Sequence, residues 1–92
     1  MAVVVSGEQR AFRDVGHRMR EVRIERDWTQ EVAAERLGVG VRELQRIEAG
    51  HVNLTLRSLV RIAKALAVPL RSLFDAPKSR AARAVGRPPK RG

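Results

Sequence analysis

The stretch from Thr29 to Gly50, TQEVAAERLGVGVRELQRIEAG, holds two short amphipathic segments separated by a glycine-bearing turn. Thr29 is a candidate N-cap, because its hydroxyl can accept hydrogen bonds from backbone N–H groups of the following turn. A helix is predicted over Gln30–Leu37, and Gly38 stands where a helix C-terminus favours a left-handed residue. The apolar spacing then resumes at Val41, Leu44 and Ile47. This spacing predicts a second helix, which Gly50 ends in the same way.

Two short helices joined by such a turn form a helix-turn-helix, whose second helix lies in the DNA major groove. On a wheel of about 100° per residue, the apolar side chains of that helix share one side. The opposite side carries Arg42, Gln45 and Arg46. Arginine and glutamine make bidentate hydrogen bonds to guanine and adenine edges. Alone, this face is more typical of a solvated surface helix than of a DNA-reading one; the surrounding pattern reverses that preference.

The flanking segments complete an all-α domain. A first helix from Glu8 to Arg26 is predicted by one apolar stripe: Phe12, Val15, Met19 and Val22. Thr55 is placed to cap a fourth helix, which ends near Leu66. Pro69 is placed as the first residue of a short fifth helix. No segment shows the alternation of a β-strand, so we predict a five-helix domain over 11–74, after an N-terminal extension over 1–10.

The charge balance favours partners that carry phosphate. The 92-residue chain has 19 Lys+Arg against 10 Asp+Glu, a formal net charge of +9. Residues 75–92 hold six of these basic residues and one acid, and Val85 is their only large apolar residue. Such a segment cannot bury enough apolar surface to fold alone. We therefore predict a disordered basic tail over 75–92.

Composition argues against several other classes of protein. There is no cysteine, and the two histidines, His17 and His51, are far apart without a third ligand, so no metal site is predicted. No catalytic triad and no glycine-rich phosphate loop is present, so we predict neither an enzyme nor a bound cofactor. The longest apolar run, Met1 to Val5, is too short for a signal peptide or membrane span. The expected location is cytoplasmic and nucleoid-associated, without membrane contact.

Residues 15–74 resemble the Cro/phage-repressor (XRE) family of five-helix DNA-binding domains. The most specific matches are Thr29-Gln30-Glu31, Ala34 before Leu37-Gly38-Val39, Ile47-Glu48-Ala49-Gly50, and the run from Leu59 through Ala63-Lys64-Ala65-Leu66 to Leu73-Phe74. The resemblance implies a transcriptional regulator that binds double-stranded DNA as a homodimer on a palindromic operator. Its main alternative is an antitoxin-like or restriction-controller-like module that binds DNA and also a protein partner through its tail.

The resemblance also assigns roles to individual residues. Val41, Arg42 and Arg46, with Gln45 beside them, match base-contacting positions. Contacts to the sugar-phosphate backbone are implied for Thr29, Gln30, His51 and Asn53. For Gln30 a plain helix-start residue is the less favoured alternative, whereas for His51 a plain loop residue is as well supported as a contact. Arg23 and Glu48 match a family ion pair that ties the first helix to the end of the third.

Two further features concern the ends of the domain. Leu70, Leu73 and Phe74 are candidates for a dimer interface, with closure of the core as the alternative. The tail ends VGRPPKRG, which is similar to half of an AT-hook, a motif that inserts arginine into the minor groove of A·T-rich DNA. Its matching or basic residues are Gly86, Arg87, Pro88, Lys90 and Arg91. A nonspecific electrostatic anchor and a solvated tail are the other interpretations.

Overall fold

The computed structural model describes residues 2–78, with side chains from residue 7 onward. Over this range the chain is all-helical, with four α-helices and one 3₁₀ helix. The elements are α1 (Ala2–Glu25), α2 (Gln30–Leu37), α3 (Val41–Glu48), α4 (Leu56–Leu66) and the 3₁₀ helix (Leu70–Phe74). α1 packs against α3 and the 3₁₀ helix, while α2 packs against α3 and α4.

The helix boundaries between α1 and α4 follow the local capping signals. The Thr29 hydroxyl accepts from the Val32 N–H at 3.1 Å, which confirms the predicted cap of α2. Thr55 caps α4 in the same manner, accepting from the Ser58 N–H at 3.1 Å. Gly38 adopts φ 75° at the end of α2, as predicted for a left-handed C-cap. These ends are encoded locally, so the sequence predicts them correctly.

The start of α1 differs from the prediction. α1 begins at Ala2, well before the predicted start at Glu8. Residues 2–10 are thus helical and continuous with the rest of α1. No proline precedes Glu8, and a glycine inside a helix, such as Gly7, lowers stability without ending the helix. The apolar stripe begins at Phe12 and so does not indicate where α1 starts.

The core lies where α1, α2, α3 and α4 converge. Its buried apolar members are Val15, Met19, Val22, Ala33, Ala34, Leu37, Leu44, Ile47, Ile62, Ala63, Leu66 and Leu73. Leu44 and Leu73 are fully enclosed. Burial of such side chains from several helices fixes how α3 is held relative to the others, since apolar burial is the main stabilising contribution to folding.

The C-terminal end of the domain corrects three predictions. The fifth element is a 3₁₀ helix, with Pro69 before it and the Ser72 N–H bonded to the Pro69 carbonyl at 2.9 Å. Segments this short commonly take the tighter helix. Leu73 is 0% exposed, so it closes the core and is not available to a dimer interface. The Pro77 side chain is also fully buried, so the packed domain extends past the predicted end at residue 74.

Most of the predicted tail lies outside the described residues. The positions similar to an AT-hook (Gly86, Arg87, Pro88, Lys90 and Arg91) fall in 79–92, which the structure does not describe.

Candidate nucleic-acid interface

α3 has one face in the core and one on the surface. Leu44 and Ile47 are buried. Arg42, Gln45 and Arg46 are exposed on the other side of the helix, so the structure places the three polar candidates on one accessible face. Residues of these types on such a face can donate and accept in the plane of a base edge.

Val41, the fourth base-contacting candidate, lies partly against the core and partly on the surface. It is the first residue of α3, half-buried, and packs against the core cluster. Gly40 before it supplies no side-chain cap. What remains accessible of Val41 can offer only apolar contact, such as to a thymine methyl group.

Gln45 and Gln30 are joined directly. The Gln45 Nε2 donates to the Gln30 Oε1 at 3.1 Å. Gln30 is the first residue of α2, next to Thr29, whose hydroxyl accepts from the Val32 N–H and retains its own hydrogen to donate. A base-contacting candidate and two phosphate-contacting candidates therefore lie at one place, where the N-terminus of α2 meets the middle of α3. A helix N-terminus also favours an anion through its free N–H groups and dipole.

The two arginines of α3 differ in their contacts. Arg46 Nη1 lies 3.4 Å from Glu43 Oε1, and its Nη2 donates to the His51 carbonyl at 3.5 Å. Arg42 makes no side-chain hydrogen bond or ion pair with any other described residue. The Arg42 guanidinium is thus without a polar partner among the described residues, whereas that of Arg46 is held by weak surface contacts.

His51 and Asn53 lie in the loop between α3 and α4, and both are exposed. The His51 N–H donates to the Arg46 carbonyl at 2.9 Å, which holds the start of this loop against the end of α3. Gly50 before it has φ 81°, a conformation that favours glycine. The loop therefore leaves α3 at a defined angle, with the two candidate phosphate contacts on its surface.

The ion pair of Arg23 and Glu48 connects α1 to the last residue of α3. Arg23 Nε lies 2.7 Å from Glu48 Oε2, and Nη2 lies 3.2 Å from Oε1, so the contact is bidentate. Arg23 Nη1 also donates to the Trp28 carbonyl at 2.9 Å. Both side chains are buried, so the full set of hydrogen bonds offsets the loss of hydration. The pair therefore joins the last residue of α3 directly to α1.

Two positions that hold the helix-turn-helix in place, Gly16 beside α3 and Arg61 at the end of α2, were not predicted from the sequence. Gly16 is buried on α1, and a Cβ there would come within 2.6 Å of the Glu48 carbonyl oxygen and closer still to that of Ile47. Arg61 of α4 donates to the Leu37 carbonyl at 2.6 Å, bonding the C-terminal end of α2. A glycine inside an amphipathic helix is the signal that could have indicated the first, because it marks a close backbone approach. No feature of the sequence indicates the role of Arg61 in this way.

Within residues 2–78, no group of His, Cys, Asp or Glu side chains is arranged to hold a metal ion. Over the same described range, no helix has both the length and the apolar character that a membrane span requires.

The comparison with family models matches this arrangement. The helix-turn-helix family model matches residues 19–73, which contain α2, the turn, α3, α4 and the 3₁₀ helix. The chain therefore belongs to the helix-turn-helix family of DNA-binding domains, in agreement with its resemblance to the Cro/phage-repressor (XRE) type. The findings point to this family and not to a family of enzymes.

Relatives and solved structures agree with the family. The chain is 40% identical over 61 residues to an uncharacterized transcriptional regulator in the ATPase CF(0) region of Rhodospirillum rubrum; the match covers 66% of this chain and 56% of that protein. The restriction-modification controller protein C.AhdI from Aeromonas hydrophila is similar in structure, with a TM-score of 0.64 and 30% identity over 68% of this chain and 96% of that one. A hypothetical transcription factor, NHTF from Neisseria, gives a TM-score of 0.66 and 26% identity over 82% of this chain and 87% of its own.

Proposed function

We propose that this protein is a sequence-specific transcriptional regulator that binds double-stranded DNA with α3 in the major groove. The main observation behind this proposal is that Arg42, Gln45 and Arg46 share the exposed face of α3, while the opposite face of that helix is buried in the core. Arg42 and Arg46 act on guanine edges and Gln45 on an adenine edge, since these are the preferred pairings of arginine and glutamine. Val41 adds apolar contact at the start of α3.

Backbone contacts set the register of the domain on DNA. Gln30 and Thr29 bind one phosphate at the N-terminus of α2, and His51 and Asn53 bind the backbone beyond the end of α3. The first group lies beside Gln45 in the middle of α3, and the second lies beyond the C-terminal end of that helix. Contacts of this kind orient the domain but carry no base preference.

The proposed assembly is a homodimer on a pseudo-palindromic operator. Two aliphatic side chains one turn apart on α4, Leu56 (66% exposed) and Val60 (42% exposed), lie on the surface of the single chain, as does Phe74. Exposed large apolar side chains on a small domain are typical of a protein–protein interface. We place the dimer contact on this surface of α4, with Phe74 and the half-buried Leu70 as further candidates. Each protomer then presents one α3 to half-sites about 34 Å apart.

Selection of binding sites from random duplexes tests the proposed function. We expect an enriched pseudo-palindrome, bound by two copies of the chain in sedimentation. Enrichment of no sequence would contradict specific reading, and one copy per saturated site would contradict the dimer. Val60→Glu should leave the circular dichroism spectrum unchanged while reducing both dimerisation and operator affinity. Arg36→Gln, at an exposed position on α2 and with the same change of one unit of charge, is its control.

A second candidate is a controller-like or antitoxin-like module that also binds a protein partner; the likeness to a restriction-modification controller favours the controller-like form. Native mass spectrometry of the operator complex formed in the source cells separates the two. Two copies of this chain and DNA alone support the simple regulator. A further protein in a fixed ratio supports the partner-bound module.

A further inference from the structure

A large part of α1 lies outside the helix-turn-helix match. The match starts at residue 19, whereas α1 starts at Ala2. The earlier part of the helix still packs on the domain, because Val15 and Gly16 are buried and a Cβ on Gly50 would come within 2.6 Å of the Arg13 Cα. This segment is thus held beside the α3–α4 loop by close backbone contact.

The surface of α1 is divided by charge. Arg10, Arg13, His17 and Arg20 follow each other at spacings that keep all four within about 80° around the helix axis. We call these four residues the basic face of α1. The acids of α1 after residue 10 lie on the adjoining side, where Asp14 lines a groove with Phe74 and Glu25 pairs with Lys78 at 3.1 Å. The basic face is therefore turned away from the 3₁₀ helix and toward the end of α3.

The arginines of the basic face differ in their contacts from the other arginines of α1. Among the described residues, none of Arg10, Arg13 and Arg20 has an ion pair or a side-chain hydrogen bond. Arg18 and Arg23, on other sides of the same helix, are fully engaged: Arg18 Nε donates to the Ser72 carbonyl at 3.0 Å, and Arg23 holds Glu48. Helix α1 thus separates arginines that hold the fold from arginines that are free to meet a ligand.

The basic face is continuous with the loop that carries two candidate phosphate contacts. An open groove of about 510 Å³ lies between them, lined on one side by Gln9, Phe12 and Arg13 and on the other by His51 and Asn53. Glu8 is the one carboxylate among its described lining residues. A polyanion bound at His51 and Asn53 can therefore extend across this groove to Arg13. A row of cations along a rigid helix also suits a nucleic-acid backbone, whose phosphates are regularly spaced.

We propose that the basic face of α1 binds phosphates of the same DNA duplex, adjacent to those contacted by the α3–α4 loop. This inference rests on the proposed function, because it requires that α3 bring the duplex to the domain. It adds a sequence-independent surface outside the helix-turn-helix. Its arginines increase affinity and salt dependence without changing which bases α3 reads.

The test compares two variants of the full chain with equal loss of charge. Arg13→Gln/Arg20→Gln alters the basic face, and Arg36→Gln/Arg71→Gln removes two exposed arginines from α2 and the 3₁₀ helix. Affinity for the selected operator is measured over a series of salt concentrations. We expect the first variant to flatten the slope of log affinity against log salt by about 0.9 for each phosphate that it no longer neutralises, with unchanged base preference. The control should retain a slope near that of the wild type, and Arg13→Lys/Arg20→Lys should restore it.

The outcomes separate this inference from the proposed function. If the wild type selects an operator and the two glutamine variants give equal slopes, the basic face does not bind the duplex, while the proposed function stands. If the wild type binds no duplex, both are overturned. A change of preferred sequence in the Arg13→Gln/Arg20→Gln variant would also contradict the inference, since it would place these arginines at base edges. Circular dichroism checks that each variant keeps its helices.

Discussion

Gln45 on the reading face donates from Nε2 to the Oε1 of Gln30 at the start of α2, over 3.1 Å. The bond joins the two helices of the helix-turn-helix through side chains that are proposed to contact different parts of DNA. Because a glutamine amide can both donate and accept, each residue keeps groups for a base or a phosphate while it orients the other. Phosphate binding at α2 and base reading at α3 are therefore expected to be coupled.

A double-mutant cycle on Gln30→Ala and Gln45→Ala measures that coupling. Each single change should weaken operator binding, and the double change should weaken it by less than the sum. The expected coupling is about 0.5–1.5 kcal/mol, the range for one hydrogen bond between neutral groups. Isothermal titration at fixed salt gives the four binding free energies. Strict additivity would show that the two side chains act independently on DNA.

Arg42→Ala should reduce affinity for the selected operator by about 1–3 kcal/mol and relax preference at one position of each half-site. The reason is that Arg42 is exposed and uncommitted among the described residues, so its guanidinium is available to a guanine edge. Gel-shift titration on operator and random duplexes checks this. Arg36→Ala on α2 is the matched control, with little loss expected. An equal loss by Arg42→Ala on both duplexes would contradict base reading.

Glu48→Leu should lower the free energy of unfolding by about 3–5 kcal/mol, because it leaves the buried Arg23 guanidinium without its carboxylate. Arg23→Met/Glu48→Leu removes both charges and should be less destabilising than Glu48→Leu alone. Urea denaturation followed by circular dichroism measures each variant. If the double variant also loses operator affinity while it remains folded, the pair acts by orienting α3. A double variant less stable than Glu48→Leu would refute the desolvation argument.

Gly16→Ala should destabilise the domain by about 1–3 kcal/mol, since the added methyl group meets the Glu48 backbone, which cannot move aside as a flexible side chain would. Gly7→Ala is the matched control on the same helix. A Cβ at Gly7 meets nothing within 4 Å, so alanine there should stabilise α1 by about 0.5–1 kcal/mol through its higher helix propensity. Thermal unfolding of the two variants should therefore shift in opposite directions.

Removal of residues 79–92 should leave the fold and base preference unchanged and reduce affinity for all duplexes. The removed segment is rich in arginine and lysine, and each phosphate it neutralises contributes about 0.9 to the salt slope. An unchanged slope would mean that the tail does not bind DNA. Removal of residues 75–92 should in addition lower stability, because it takes away the buried Pro77. Arg87→Ala then distinguishes a minor-groove arm, which should lose its preference for A·T-rich flanks, from a diffuse anchor.

The helix-turn-helix itself could be predicted from the sequence because its signals are local. Thr29, Gly38 and Thr55 act within one turn of their own positions, and the apolar spacing of α3 defines which side faces the core. The polar face of α3 follows from the same spacing. The family resemblance added the Arg23–Glu48 pair, which residue types alone could not have indicated across 25 positions.

Other features depended on what each segment packs against. The burial of Leu73, which the sequence left open between the core and a dimer interface, and the close approach of Gly16 to α3 depend on contacts between helices distant in sequence, which no local pattern records. The sequence does not distinguish the arginines of the basic face from Arg18 and Arg23 on the same helix. The structure does, because Arg18 and Arg23 bond other parts of the domain. Local chemistry thus determined the two helices of the helix-turn-helix and the capped start of α4. Tertiary packing decided which side chains remain available to a partner, because availability depends on what the neighbouring helices already occupy.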